Sequence, residues 1–221
     1  MTALEQRAGE QRAGAAGRGP VSFKRLAWLV LGLLTAATIY VHETPLLKVN
    51  DPEWARIAPF RWWLAAHVAS AVFSLVLGPL QFSASLRRRS LWLHRWIGRV
   101  YVGATLIAAS LALYIVMAFE APANRWVMGV MAGLWWVCTA LAWIAIRGRD
   151  IAQHRLWMMR SYGLTFTFVT TRFIPDVVLP GLGFFGVTTL YWLLILVAMT
   201  LPDVIVFAEK MGARPVSGRR A

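Results

Sequence analysis

Histidine is the side chain that most readily changes charge near neutral pH and the commonest metal ligand. This 221-residue chain carries four: His42, His67, His94 and His154. Its single cysteine, Cys138, excludes an internal disulfide, a four-cysteine zinc site and a cysteine-ligated iron–sulfur cluster. A bound metal must therefore be held by histidine or carboxylate. Two of the histidines sit in matching surroundings. His94-Arg95-Trp96-Ile97-Gly98-Arg99-Val100-Tyr101 aligns with His154-Arg155-Leu156-Trp157-Met158-Met159-Arg160-Ser161-Tyr162 if one residue is inserted. A second kind of chemistry is offered by Arg172 and Asp176, four apart with Pro175 between them, a spacing at which opposite charges pair along a helix.

These residues lie in an apolar chain. It is 58% apolar and 15% charged, with twelve Trp, where a soluble protein carries about 25% charged residues. Water-soluble enzyme folds are excluded, because so much apolar surface would remain exposed. Taking about twenty residues as the bilayer-crossing length gives six apolar segments: Leu26–Val41, Trp62–Phe82, Trp96–Phe119, Trp126–Ile146, Leu156–Leu179 and Val187–Phe207. The expected fold is all-α, a polytopic membrane bundle of six transmembrane helices over 23–208. Flanking it are a disordered cytoplasmic tail, 1–22, and a basic cytoplasmic tail, 209–221. Of the 23 Lys and Arg, sixteen fall on the side of the two termini, four on the opposite side and three, Arg99, Arg160 and Arg172, within the segments. This asymmetry places both termini in the cytoplasm. The net charge of +13 is then a topology signal with attraction to anionic headgroups, and nucleic acid is not expected as a partner.

Polar groups are expensive in hydrocarbon, so their angular positions mark the faces turned inward. At about 100° per residue, His67, Ser70, Ser74, Gly78 and Gln81 form one stripe; His94, Gly98, Tyr101, Thr105, Ala108 and Ala112 form another. His154, Met158, Ser161, Thr165, Phe168, Arg172 and Asp176 share a face of the fifth segment, which makes it the functional candidate. On the sixth, Thr189, Trp192, Leu196, Thr200 and Asp203 align. The fourth segment holds Gly129-x-x-x-Gly133 and little that is polar, and reads as a packing or lipid-facing helix or a homodimer face. The histidine motifs suggest a parallel repeat, segments two and three against four and five.

The combination of His67, Gly78-Pro79-x-Gln81, His94-Arg95-x-x-Gly98-Arg99-x-Tyr101 and His154-x-x-x-Met158-x-Arg160-Ser161-Tyr162 resembles the bacterial multi-pass membrane family called domain of unknown function 2306, over roughly residues 60 to 205. The resemblance implies an integral protein of the bacterial inner membrane with no assigned activity. His42 is not part of the matching pattern.

Three readings of the residues compete. In the first, His67, Gln81, His154, Arg172, Asp176 and Asp203 line a polar path, so that the protein is a carrier or relay for a small solute, a proton or a metal ion. In the second, His94 and His154 are axial ligands of haem b, Arg95, Arg99, Tyr101, Arg155 and Arg160 lie within range of its propionates, and a His42–His67 pair holds a second haem, with an electron-transfer partner. In the third, the histidines and arginines anchor helix ends in a structural or assembly protein. No nucleophile elbow, phosphate loop or His-Glu-x-x-His motif supports a hydrolase or ATPase, and whether the chain is an enzyme is left open.

Overall fold

The computed structural model describes residues 23–43, 57–175, 181 and 183–212. The expected tail 1–22, most of the tail 209–221, and Asp176 lie outside the described residues, as does the side chain of His42. Helix α1, Phe23–Thr38, runs into a π turn, Ile39–Glu43. It is followed by α2 (Arg61–Gln81), the short α3 (Ala84–Arg89), α4 (Leu91–Phe119), α5 (Pro122–Arg147), α6 (Ile151–Phe173) and α7 (Phe184–Gly212). No strand occurs among the described residues. Each of the six apolar segments overlaps one helix, the end of the fifth, 176–179, lying outside the described residues; α3 is extra, formed by the arginine-rich linker after α2.

The helix starts follow from their first residues. Ser90 accepts from the amide of Leu93 at 3.2 Å and Asp150 from that of Gln153 at 2.9 Å, each satisfying a donor the helix leaves open. Pro122 opens α5, where its missing N–H costs nothing. The turn from α5 to α6 is only three residues long and is closed by Arg149, whose φ of 62° is left-handed.

Four helices are long and apolar enough to cross a membrane: Arg61–Gln81, Leu91–Phe119, Asn124–Arg147 and Gly186–Met211. The bundle shows the inverted distribution that a hydrocarbon solvent selects. Trp62, Ile107, Trp126, Ile144 and Leu196 are exposed, while Ser74, Thr105, Thr139 and Ser161 are fully buried. Helix α6, with Arg155, Arg160 and Arg172, is the polar one, and it is tucked inside: Met158, Ser161, Leu164, Thr165, Thr167 and Val169 are buried.

Packing runs in sequence order, α2 on α4, α4 on α5, α5 on α6 and α6 on α7, with α1 laid against α6. The fourth segment, expected to be a packing or lipid-facing helix, does both: Trp126, Val137 and Ile144 of α5 are exposed. In α5, Trp135, Cys138, Thr139 and Ala142 are buried at the centre of the bundle. Gly129 does serve packing, since Met117 fills the space a side chain would need.

Candidate functional site

A cavity of about 630 Å³ opens between α2, α4, α5, α6 and α7. Its wall is mostly apolar, with Val68, Val72, Ala112, Ile115 and Met131 among the lining residues, and it holds few polar groups. At its inner end the ring of His67 stands edge-on to Trp135, centroids 6.4 Å apart. His67 Nδ1 lies 2.8 Å from the carbonyl oxygen of Ala108. A carbonyl can only accept, so Nδ1 carries the proton, and in the neutral ring Nε2 is the acceptor. Trp135 Nε1 donates to Thr165 Oγ1 at 2.9 Å, and Thr165 donates to the carbonyl of Ser161 at 2.9 Å.

The opposite end is marked by Arg172, about 10 Å further along α6 than Thr165 at 1.5 Å per residue. Its guanidinium carbon lies 4.0 Å from the centroid of Phe168. Glu120, which ends α4, and Tyr191 of α7 also line the cavity. The structure thus joins His67 and Arg172, two residues singled out by the sequence, across separate helices.

Below the cavity lies a band of hydroxyl groups. Tyr101 Oη is 2.8 Å from Ser161 Oγ and 3.4 Å from Thr165 Oγ1. Ser161 Oγ is 2.8 Å from Thr139 Oγ1, and Thr139 donates to the Trp135 carbonyl at 2.8 Å. Thr105 donates to Ser74 Oγ at 2.8 Å. Tyr101, Ser74, Thr105, Thr139 and Ser161 are all completely buried. Tyr101 and Ser161 stand seven residues after His94 and His154, so the motif match brings these two positions into contact.

The remaining histidines occupy the other end. His94 and His154 are each the fourth residue of a helix, α4 and α6, that begins with a capped turn. His154 Nδ1 is 2.8 Å from the carbonyl of Ala142, the same arrangement as at His67. His94 Nδ1 is buried with no hydrogen-bond partner among the described residues. Gln81 Nε2 donates to the His94 carbonyl at 3.4 Å.

Several candidate residues turn out to hold helices together. A β-carbon at Gly98 would come within 2.9 Å of Gln81 Oε1, and one at Gly78 would overlap the ring of Tyr162. Tyr162 Oη donates to the Leu75 carbonyl at 3.4 Å. Arg160 donates to Asp203 at 2.7 Å and to the Met199 carbonyl at 3.2 Å, and covers the face of Trp157 at 4.4 Å. Arg99 is exposed and lies over Trp96 at 5.5 Å. The aligned residues of α7 face outward, with Trp192, Leu196 and Thr200 exposed. His67 and Arg172 are therefore separated from Gln81, His154 and Asp203 by the packed hydroxyl band. The sequence reading passed over Trp135 and Thr139 in this connection; their four-residue spacing on an otherwise apolar helix was the available signal.

Among curated proteins and among solved structures, nothing matches the chain. A family model does match residues 64–209, from the first turn of α2 into the last turn of α7. That is well over half of the sequence, and the chain belongs to the family described as Predicted membrane protein (DUF2306).

Proposed function

We propose that the protein is a carrier or relay that binds a small, bilayer-soluble molecule in the cavity between α2, α4, α5, α6 and α7. The observation that carries this reading is that His67 and Arg172 line one mostly apolar cavity of about 630 Å³, within the range of roughly 300–1,000 Å³ usual for ligand sites. Ionisable groups at membrane depth are costly and mark a binding or transfer site unless they are spent on structure. Beneath the cavity the hydroxyl band supports the relay side of the reading, because each hydroxyl both donates and accepts. Six helices cross the bacterial inner membrane with both termini cytoplasmic, and the residues at 1–22 and 209–221 are cytoplasmic tails beside anionic lipid. The cavity then belongs to the outer half of the membrane.

A panel of small amphipathic molecules, an alkanol, an alkylamine, an alkyl carboxylate and an alkylphenol, tests the reading by melting of the purified protein. At a hundredfold excess over Kd a ligand adds about 2.7 kcal/mol of stability, a shift of several degrees. At least one member should raise the Tm of the wild type and leave Ala112→Trp, whose ring fills the cavity, unmoved. Equal shifts in the two proteins, or none in the wild type, would refute it.

A second reading is favoured by one feature of the other end. With Nδ1 of His154 given to the Ala142 carbonyl, Nε2 is oriented as in a ligating histidine, and His94 nearby holds a buried ring nitrogen without a partner. Haem b between them would take these two as axial ligands. Of the residues expected near its propionates, Tyr101, Arg155 and Arg160 are engaged elsewhere, which leaves Arg95 and Arg99 to hold them. Purified protein from cells fed haem precursor would show a Soret band that His154→Ala removes; a colourless preparation rejects this reading.

A further inference from the structure

We infer that the occupant of the cavity is a neutral aromatic molecule bearing a hydroxyl, of the alkylphenol class, whose O–H donates to Nε2 of His67. This rests on the cavity being a ligand site and narrows what the site selects. Three polar side chains meet at the inner end, and two of them are spent: Trp135 donates to Thr165, and Thr165 donates to the Ser161 carbonyl. The third, His67, has given Nδ1 to the Ala108 carbonyl. Its remaining nitrogen is an acceptor in the neutral ring, so the group it takes from a ligand is a donor.

Charge at the far end does not select an anion. Arg172 and Glu120 line the same cavity, so a ligand there meets both signs, and a neutral molecule avoids the cost of carrying its own charge into hydrocarbon. The walls fit a ring. Phe60, Trp135, Phe168 and Tyr191 surround the space, and aromatic side chains hold a ring by offset or edge-to-face contact. An alkyl tail would lie along Val68, Val72 and Ile115.

The discriminating pair is 4-hexylphenol and 4-hexylanisole, which differ only in the hydroxyl proton and its replacement by methyl. Titrated calorimetrically into the full-length protein in one detergent, the phenol should bind saturably and about tenfold or more tightly than the ether, because a site that hydrogen-bonds a hydroxyl penalises the analogue lacking it. His67→Phe should bring the phenol down to the affinity of the ether. Should that variant not fold, the two ligands compared on wild type and Ala112→Trp still decide. Equal, saturable binding of both, abolished by Ala112→Trp, would overturn the hydroxyl inference and leave the cavity reading standing. Binding of neither, while another member of the amphipath panel stabilises the wild type, would also overturn it. No response to any member removes both.

Discussion

Gly78 and Tyr162 show how a site motif can be a packing device. A β-carbon at Gly78 overlaps the Tyr162 ring, so Gly78→Ala should destabilise the purified protein by about 1–3 kcal/mol, the usual cost of overfilling a core. Gly103, where a side chain meets nothing within 4 Å, is the control: Gly103→Ala should stay within about 0.5 kcal/mol. Similar losses at both sites, read from melting curves, would mean that the close α2–α6 contact is absent. The hydroxyl band makes a second residue-level claim. Tyr101→Phe leaves Ser161 with one partner fewer and should cost about 1 kcal/mol. Combined with Ser161→Ala, it should show a coupling of about 0.5 kcal/mol or more; strict additivity contradicts the bond.

At this scale the sequence was partly legible. The stripes of His67, Tyr101, Thr105 and Ser161 face inward as their helical period requires, because burying a polar group in lipid admits one solution. Period alone could not say which stripes meet. Gln81 and Tyr162 were read as ligand contacts and are spent on helix contacts, packed where Gly98 and Gly78 leave room, since a glycine-aromatic interlock and a binding motif use the same residue types. Arg160 finds its carboxylate in Asp203, 43 residues away, a pairing no local spacing encodes.

Between elements, two ion pairs tie α6 to α7 and should differ in weight. Arg155 and Glu209 meet at 2.6 Å with both side chains half exposed, and such pairs contribute about 0–1 kcal/mol. Arg160, with its side chain 14% exposed, is also held by the Met199 carbonyl and Trp157. Asp203→Ala should therefore lower stability more than Glu209→Ala, and 0.5 M salt should weaken the outer pair more. The reverse order in melting temperature would show that the buried side of Arg160 contributes nothing. The tight turn before α6 gives a prediction of opposite sign. Arg149 holds a left-handed φ of 62°, so Arg149→Gly should stabilise by about 1 kcal/mol; a loss instead would place Arg149 in a contact that outweighs its strain. The helices themselves were legible from hydropathy. Which residues of α5 are buried was not, because the face it turns to protein and the face it exposes are both apolar.

For the whole molecule, the fold divides the bundle by depth: a cavity with His67 and Arg172 at one end, a sealed hydroxyl band in the middle, and His94 with His154 at the other. In the proposed topology the histidine pair is on the cytoplasmic side. A reporter fused after Ala221 should be active in the cytoplasm and one inserted after Glu120 outside it, and the opposite result would invert the assignment. The central claim is that the apolar space beside His67 admits a guest. In a Cys138→Ser background, Ala112→Cys lines that space, while Ala109→Cys sits fully buried in the core away from it. Labelling of folded protein by a bilayer-soluble maleimide should proceed at residue 112 and be slowed by an excess of 4-hexylphenol, with residue 109 unreactive until the protein unfolds. Equal reactivity at the two positions, or none at 112, would contradict the account.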